Sequence, residues 1–383
     1  DGMEALEKIL NRTQMDSTEV LQRVDQILDD VRLRGDSALL EYTKMYDGHG
    51  LEDLRVTREE IEEARESIDP GLRKAIENAI ENITRFHKNQ VDEGFIVQED
   101  DIVLGQLVNP IERVGIYVPG GTASYPSTVM MNVIPANLAG VKEIVIATPA
   151  GKDGRIRESV LVAADLLGVS KIFKMGGAQA VGALCYGTET IRKVDKIVGP
   201  GNIYVAMAKR KVSGMVGIDM IAGPSEVVVL ACEGANPRYI AADLIAQAEH
   251  DQRAASIVVT DSDSLAGRIE DELSRQLTVL ERREIAEKAL ADYGALIVVD
   301  SMEEGFHIVN RLAPEHLELL TENPLEDYKR IRNAGAIFLG EYTPEPVGDY
   351  YAGPNHTLPT SRTARFSSAL GVEDFCKKTS LIY

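Results

Sequence analysis

The sequence predicts an α/β protein in which parallel strands alternate with helices. Three observations support this fold class: short β-branched runs recur along the chain, most are separated by enough residues for one helix, and several end in glycine-rich turns. With 383 residues the chain exceeds what one ordinary hydrophobic core accommodates, so we expect at least two lobes.

The N-terminal part of the sequence predicts helices. Apolar residues recur at helical spacing between Glu19 and Arg34. Thr57 followed by Glu60 matches a capping box, which predicts the start of a helix that continues to Ile68. The simplest interpretation is that the first hundred residues form helices that pack on a sheet.

From residue 113 onward the pattern changes to short runs rich in Val and Ile. The predicted strands are Val114–Val118, Glu143–Ala147, Lys171–Lys174, Lys196–Val198, Val227–Leu230, Ser256–Val259, Leu296–Val299, Leu317–Thr321 and Ala336–Leu339. Because helical segments lie between most of them, we expect a parallel sheet with helices on both faces.

Composition and charge exclude several classes of function. Apolar residues make up 44% and charged residues 27%, as in soluble globular proteins. No apolar run approaches the ~18–20 residues that span a bilayer, and no signal peptide is visible. The net charge of −20, without a basic block, argues against nucleic acid or an anionic membrane as a partner. Three cysteines without CxxC spacing indicate the reducing cytoplasm.

Three glycine-rich turns separate predicted strands from predicted helices. They follow Val118, Met175 and Val198 and read Pro-Gly-Gly, Gly-Gly-Ala-Gln and Gly-Pro-Gly-Asn. Glycines after parallel strands let a ligand approach the backbone, and helix N-termini favour anions such as a pyrophosphate. Tight turns would explain any one of them, but three close together make a nucleotide or phosphate site an equal alternative. None has the GxGxxG spacing of a standard Rossmann fingerprint.

Several histidines lie among residues that could form a site. Gln247 and His250 are three apart in a predicted helix and therefore on one face, where a helix-terminal histidine is the simpler explanation and a metal site the alternative. Asp349 and His356 lie in a loop of Gly, Pro, Asn and Tyr. Gln247, His250 and Asp349 could together form a mixed nitrogen and oxygen site for zinc.

Glu315 and His316 stand together just before a leucine-rich strand. A carboxylate beside an imidazole could be an acid–base pair, or a polar turn that leads into the strand. Neighbouring side chains of an extended strand point to opposite faces. The two can therefore share one site only if Pro314 and the pair form a bent loop.

Seven motifs, in order along the chain, resemble those of histidinol dehydrogenases. They are Tyr117-Val-Pro-Gly-Gly, Gly176-Gly-Ala-Gln-Ala, Gly199-Pro-Gly-Asn, Ala222-Gly-Pro-Ser-Glu, Gln247-Ala-Glu-His, Ala313-Pro-Glu-His-Leu, and Gly348-Asp-Tyr with the following Gly-Pro-Asn-His-Thr-Leu-Pro. The similarity extends from about residue 15 to the end of the sequence. Together the motifs are highly specific, whereas any one alone would not be.

The resemblance implies a zinc- and NAD-dependent enzyme that oxidises L-histidinol to L-histidine through histidinaldehyde, the last steps of histidine biosynthesis. Glu315 and His316 match the family's catalytic pair. His316 would be the general base, since an unperturbed histidine, with a pKa of about 6.5, is mostly neutral near neutral pH. Glu315 would activate water for the second oxidation.

The resemblance also implies the binding residues. The positions that match zinc ligands are Gln247, His250 and Asp349. The positions that match substrate contacts are Ser225, Gln247, His250, His316 and Asp349. The positions that match NAD contacts are Tyr117, Gln179 and Asn202.

The implied fold is that of aldehyde dehydrogenases, with two incomplete, doubly wound Rossmann-like lobes. We expect a helical arm at 1–14, a discontinuous first lobe at 15–112 and 227–370, an inserted second lobe at 113–226, and the start of a truncated C-terminal tail at 371–383. The family forms an intertwined homodimer whose helical tail supplies a Glu and a His to the partner subunit's site. Since the sequence ends before them, either it omits the tail or the zinc site is incomplete. We favour the first, because all three in-chain ligand positions are present.

Two other functions stay open from the sequence. A related NAD-dependent dehydrogenase could act on a different amino- or sulfonate-bearing alcohol, and a screen of alcohols would distinguish it. A noncatalytic metal- or nucleotide-binding homologue would produce no NADH from histidinol.

Overall fold

The computed structural model describes residues 9, 18–48, 50–120, 125–221 and 223–383. Apart from Ile9, the expected arm at 1–14 lies outside these residues, as do the end of the first glycine turn from Gly121 and Ala222 of the fourth motif. Contacts divide the described chain into two compact units. We call them the N-terminal unit (Asp16–Ile221, Tyr350–Thr357 and Leu370–Tyr383) and the C-terminal unit (Ala222–Asp349 and Leu358–Ala369).

The N-terminal unit begins with helices α1 (Thr18–Arg34), α2 (Asp36–Asp47), α3 (Arg58–Ser67) and α4 (Pro70–His87). The predicted capping box is confirmed: Thr57 Oγ1 accepts from the Glu60 N–H, and the Glu60 carboxylate accepts from the Thr57 N–H. Helix α1 buries the apolar stripe that predicted it. Local sequence signals therefore define these helices.

The strands of this unit are β1 (Phe95–Glu99), β2 (Ile102–Pro110), β3 (Arg113–Tyr117), β4 (Glu143–Thr148), β5 (Lys171–Lys174), β6 (Lys196–Val198), β7 (Gly217–Ile218) and, at the end of the chain, β13 (Cys376–Ile382). Strands β3 to β7 form a parallel sheet in the order β5-β4-β3-β6-β7. The helices that follow its first four strands in the chain are α5 (Pro126–Ala139), α6 (Glu158–Leu166), α7 (Gly177–Tyr186) and α8 (Ile203–Val212).

Strands β1, β2 and β13 form a separate antiparallel sheet, with β2 in the middle. This sheet was not predicted from the sequence, and the prediction that the first hundred residues form helices is wrong for β1. Strand β13 pairs with β2 across a large separation in the chain, and local patterns carry little information about such pairing.

The C-terminal unit contains a second parallel sheet, in the order β10-β9-β8-β11-β12. Its strands are β8 (Glu226–Ala231), β9 (Ala255–Thr260), β10 (Gly294–Val298), β11 (His316–Leu320) and β12 (Ala336–Leu339). Its longer helices are α9 (Pro237–Ala248), α10 (Asp263–Leu277), α11 (Arg283–Tyr293) and α12 (Met302–Leu312), and two short ones are α13 (Pro324–Asp327) and α14 (Glu345–Val347). All the strands predicted from residue 113 onward are confirmed, with ends displaced by no more than two residues.

Both faces of this second sheet are buried. On one face the sheet packs on α12, through Val228, Leu230, Leu317, Leu319, Phe306 and Val309. On the other face it packs on α9, through Val227, Val229, Leu320, Ile240 and Leu244. Because side chains alternate along a strand, His316 and Glu318 lie on the same face of β11 as Leu320, the face covered by α9.

The two units differ from the expected lobes. Residues 16–112 belong with the sheet at 113–221 instead of with 227–370. The reason is packing: α1 contacts α7 and α8, α3 contacts α6, and α4 contacts α5. Among the described residues, no helix combines the length and the apolar character needed to cross a membrane.

Candidate active site

Glu315 and His316 lie at the amino end of β11. Helix α12 ends just before them, Ala313 adopts a left-handed conformation with φ of 49°, and the strand begins at His316. Glu315 therefore belongs to a turn that includes Pro314, and it precedes the strand. This is the bent loop that the pair requires.

Both side chains are held by the backbone of one residue, Glu226, at the start of β8. The Glu226 N–H donates to Glu315 Oε2 at 2.9 Å, and the Glu226 carbonyl accepts from His316 Nδ1 at 3.1 Å. Glu315 Oε2 lies 3.7 Å from His316 Nδ1. The two residues are only 6% and 3% exposed. The structure thus brings them into one buried site.

The second nitrogen of His316 faces two acids. His316 Nε2 lies 3.1 Å from Asp349 Oδ2 and 3.7 Å from Glu345 Oε1. A backbone carbonyl can only accept a hydrogen bond, so Nδ1 carries a proton and Nε2 is the position that can gain or lose one. The carboxyl groups of Asp349 and Glu345 are buried with it.

The surrounding carboxylates control the charge of His316. Burial alone would lower the pKa of His316, but the carboxylate of Glu315, with those of Asp349 and Glu345, outweighs burial and raises it to about 10. Without a cation beside these carboxylates, the protonated imidazole is favoured over the mostly neutral one that the sequence predicts. Burial also raises the pKa of Glu315 to about 7 and that of Glu345 to about 8.

Three acidic residues of this region were not predicted from the sequence as part of the site. The side chain of Glu226 accepts from the Ser361 N–H, which connects the Glu315–His316 pair to the loop around Ser361. Glu345 approaches His316 only through the tertiary fold, and no motif indicates it. Glu318 could have been found, because it lies two residues after His316 on an alternating strand and is a carboxyl group among leucines.

Glu318 is a buried acid that interacts electrostatically with Asp243 of α9, which is half-buried. Glu318 is 2% exposed, and neither of its oxygens has a donor among the residues that the structure describes. Burial raises the pKa of Glu318 well above its ordinary value, and burial raises the pKa of Asp243 to about 6. Burial therefore favours the protonated, neutral form of Glu318.

Two of the predicted zinc ligands, His250 and Asp349, interact with His316. Gln247 is 3% exposed on α9. The sequence predicted that His250 lies on this helix. The residue instead lies in the turn that follows, because α9 ends at Ala248. Partial burial lowers the pKa of His250, and the imidazole interacts electrostatically with Asp349 and His316. Ser225 immediately precedes β8.

The donor atoms present fit a divalent cation. Ligand atoms of His316, Glu345 and Asp349 all lie within 4.8 Å of one another. Imidazole nitrogen and carboxylate oxygen are common zinc ligands. This group shares Asp349 with the predicted set of Gln247, His250 and Asp349. A cation at Asp349 would compensate the negative charge that raises the pKa of His316.

In the N-terminal unit, Tyr117, Gln179 and Asn202 line one cavity of about 1140 Å³. They follow the carboxyl ends of β3, β5 and β6, which is the edge at which open parallel sheets bind ligands. Small-molecule sites typically measure about 300–1,000 Å³, so this cavity has room for a large ligand such as a dinucleotide. Glycines of all three predicted turns lie at this edge of the sheet.

Each of the three predicted NAD contacts has a defined environment. The Tyr117 hydroxyl accepts from the Gly177 N–H at 3.1 Å, and burial raises the pKa of Tyr117 to about 12. Asn202 Oδ1 accepts from the first N–H groups of α8. Gln179 Oε1 is buried and lacks a hydrogen-bond partner among the described residues. A buried acceptor without a partner is costly, so a ligand donor at this position would be favourable.

Known proteins with similar sequences share one description. The profile of the family "Histidinol dehydrogenase" matches residues 10–383. Histidinol dehydrogenase of Clostridium acetobutylicum is 52% identical over 384 residues, covering 100% of this chain and 89% of its own length. That of Caldanaerobacter subterraneus subsp. tengcongensis is 56% identical, covering 98% of this chain and 88% of its own length.

Solved structures agree with the sequences. Histidinol dehydrogenase from Elizabethkingia anophelis has a TM-score of 0.91 and 42% identity, over 94% of this chain and 84% of that chain. An acetylating aldehyde dehydrogenase from Geobacillus thermoglucosidasius has a TM-score of 0.53 and 14% identity, over 96% of this chain and 97% of that chain, and shows the fold alone. The aldehyde-dehydrogenase-like α/β fold is confirmed, and the chain belongs to the histidinol dehydrogenase family.

Proposed function

We propose that this protein oxidises L-histidinol to L-histidine through histidinaldehyde, with zinc and NAD as cofactors. Membership of the histidinol dehydrogenase family indicates the class of reaction, the oxidation of an alcohol. The observation that carries the proposal is the placement of Glu315 and His316 in one buried site, with Asp349 at the free nitrogen of the imidazole. The cavity lined by Tyr117, Gln179 and Asn202 supports a dinucleotide as the oxidant.

In the first oxidation His316 is the proposed base. Alcohol oxidation needs an acceptor for the hydroxyl proton while hydride leaves the carbon, and bound NAD supplies the hydride acceptor. His316 Nε2 is the accepting atom, because Nδ1 donates to the Glu226 carbonyl. Without a cation the carboxylates would keep His316 protonated near neutral pH, so the base role requires positive charge beside Asp349, which zinc held there would supply.

In the second oxidation Glu315 is the proposed base that activates water. Burial raises its pKa to about 7, close to the pH at which such a group must both hold and release a proton. Water attack on the aldehyde gives a hydrate, which would lose a hydride to a second NAD and release two protons, leaving the carboxylate product. The Glu226 N–H holds the carboxyl group of Glu315 in place for this step.

The proposed zinc ligands are Gln247, His250 and Asp349. Bound zinc would act as a template that orients the imidazole and amine of the substrate. The lowered pKa of His250 keeps that imidazole neutral, as a metal ligand must be. We propose the zinc ligands, with Ser225 and His316, as the substrate contacts.

We also propose the homodimer with intertwined tails and the cytoplasmic location that the sequence analysis expected. The family resemblance supports the dimer, and the three widely separated cysteines support a reducing compartment. Analytical ultracentrifugation of the full-length protein tests the dimer, because a monomer at micromolar concentration would contradict it.

The replacement of His316 with Ala tests the function. In full-length, zinc-loaded protein we expect kcat for NADH formation from histidinol to fall by about 10²–10⁴-fold, the usual contribution of a general base. NAD binding and zinc content should stay close to those of the unmodified protein. His307→Ala is the matched control, since His307 is an exposed histidine on α12.

Three results would overturn the proposal. Near-normal kcat of His316→Ala would show that another group is the base. If the unmodified protein forms no NADH from histidinol but does so from another alcohol, it is a related dehydrogenase. If it uses no alcohol at all, it is a noncatalytic homologue.

A further inference from the structure

One buried ion pair in the N-terminal unit contacts a single glycine of the predicted cofactor site. Lys209 of α8 and Asp219, just after β7, form this pair, and their side chains are 3% and 1% exposed. Neither residue has a role in the proposed mechanism. Both lie outside the motifs that predicted NAD binding.

The pair occupies both polar groups of the Gly199 backbone. Lys209 Nζ donates to the Gly199 carbonyl at 2.9 Å, and the Gly199 N–H donates to Asp219 Oδ2 at 2.8 Å. Lys209 Nζ also contacts Asp219 Oδ1. An ammonium group, a carboxylate and one residue's backbone therefore form a closed, buried ring of hydrogen bonds.

Gly199 is pressed against the backbone of Tyr117. Its φ is 108°, which side chains rarely adopt, and a Cβ at this position would lie 2.1 Å from the Tyr117 carbonyl oxygen. Gly199 is also three residues before Asn202, which begins α8 with its side-chain cap. The position of Gly199 thus determines the positions of two predicted NAD contacts, Tyr117 and Asn202.

A contribution to the stability of the fold does not by itself explain why this ion pair is buried. Removing two charges from water is costly, and well-packed apolar residues of similar volume often stabilise a fold as well or better. A buried pair is instead suited to fixing one conformation. Here both charges bind the same glycine, at the edge of the sheet where the cavity lies.

We propose that Lys209 and Asp219 are positioning residues for the dinucleotide: their ion pair holds the Gly199 turn so that Tyr117 and Asn202 are ready to bind NAD. The inference rests on the proposed function, since it requires the cavity to be the NAD site. It adds two residues that act through the turn and do not touch the cofactor.

The test is NAD binding by calorimetry, with steady-state kinetics, in full-length zinc-loaded protein. For Lys209→Met we expect Kd and KM for NAD to rise at least about tenfold, with kcat at saturating NAD within about twofold. The KM for histidinol and the zinc content should not change. A general loss of structure would instead lower kcat and affect both substrates.

Two further variants make the test independent of folding. Asp219→Asn keeps an oxygen that can accept from the Gly199 N–H. It therefore replaces Lys209→Met in the binding test if that variant does not fold. Combining Lys209→Gln with Asp219→Asn restores a neutral hydrogen-bonded ring, and we expect it to recover most of the NAD affinity lost in Lys209→Met. The control is Arg113→Met, which breaks the pair of the buried Arg113 with the partly buried Glu143 at the opposite, amino edge of the same sheet.

The outcomes separate this inference from the proposed function. If Gln179→Ala and Asn202→Ala weaken NAD binding while Lys209→Met and Asp219→Asn weaken it no more than Arg113→Met, the positioning role is wrong and the NAD site stands. If Gln179→Ala and Asn202→Ala leave NAD binding unchanged, the cavity is not the NAD site and both proposals fall. Selective loss of NAD affinity with recovery in the double variant supports the inference.

Discussion

Replacing Asp243 with Asn should make the protein more stable, and the gain should increase with pH. Burial beside Glu318 raises the pKa of Asp243 from 3.8 to about 6. The folded protein therefore binds this proton more tightly than the unfolded chain does. By linkage, the free energy of unfolding falls as pH rises through the window between these two values. The native carboxyl group thus costs stability near neutral pH.

The size of the gain follows from the shift in pKa. Each unit corresponds to about 1.4 kcal/mol, so a shift of roughly two units gives an upper limit of about 3 kcal/mol well above the folded pKa. Near pH ~5 only about half of this limit applies. Because Asn cannot ionise and its amide can donate to Glu318, we expect Asp243→Asn to gain about 1–3 kcal/mol near pH ~8 and clearly less near pH ~5.

Urea unfolding at several pH values measures this effect, with zinc content held constant. Asp271→Asn is the matched control, since Asp271 is an exposed acid on the neighbouring helix α10. A gain that does not change with pH would refute the reasoning, because it would come from packing instead of ionisation. A loss of stability near neutral pH would show that the charged form of Asp243 is the favoured one.

Three other changes have defined outcomes. Glu315→Gln should slow histidinaldehyde oxidation and abolish the rise of the oxidation rate with pH up to about 7, the pKa of Glu315. A pH–rate profile with histidinaldehyde checks this, and an unchanged profile would exclude Glu315 as the base. His250→Ala should reduce bound zinc in elemental analysis, and unchanged zinc content would contradict its role as a ligand. Thr57→Ala removes the side-chain cap of α3 and should cost about 0.5–2 kcal/mol in urea unfolding, whereas no loss would mean that the cap is replaced by water.

Local sequence patterns were sufficient for every strand of the two parallel sheets except the short β7. The runs of Val and Ile and the capping box at Thr57 act over a few residues, so they can be interpreted without knowing the fold. The bend at Pro314 was also foreseeable, because an alternating strand could not place Glu315 and His316 together. The glycine turns marked the edge of the sheet at which the cavity lies.

Long-range packing decided what local patterns could not. Strand β13 exists because it pairs with β2, and residues 16–112 join the N-terminal unit because their helices pack on that unit's helices. Neither contact leaves a signal within a window of a few residues. The end of α9 before His250 is a similar case, since helix ends are set by capping contacts as well as by propensity.

The sequence by itself determined the fold class, the strands of the parallel sheets other than β7, and the motifs that place this chain in its family. Only the tertiary structure decided the chemistry of the site. Glu226 and Glu345 reach His316 from distant parts of the chain, and burial together with three carboxylates changes the pKa of its imidazole. The physical reason is that a side chain's identity is local, whereas its desolvation and its charged neighbours exist only once the chain has folded.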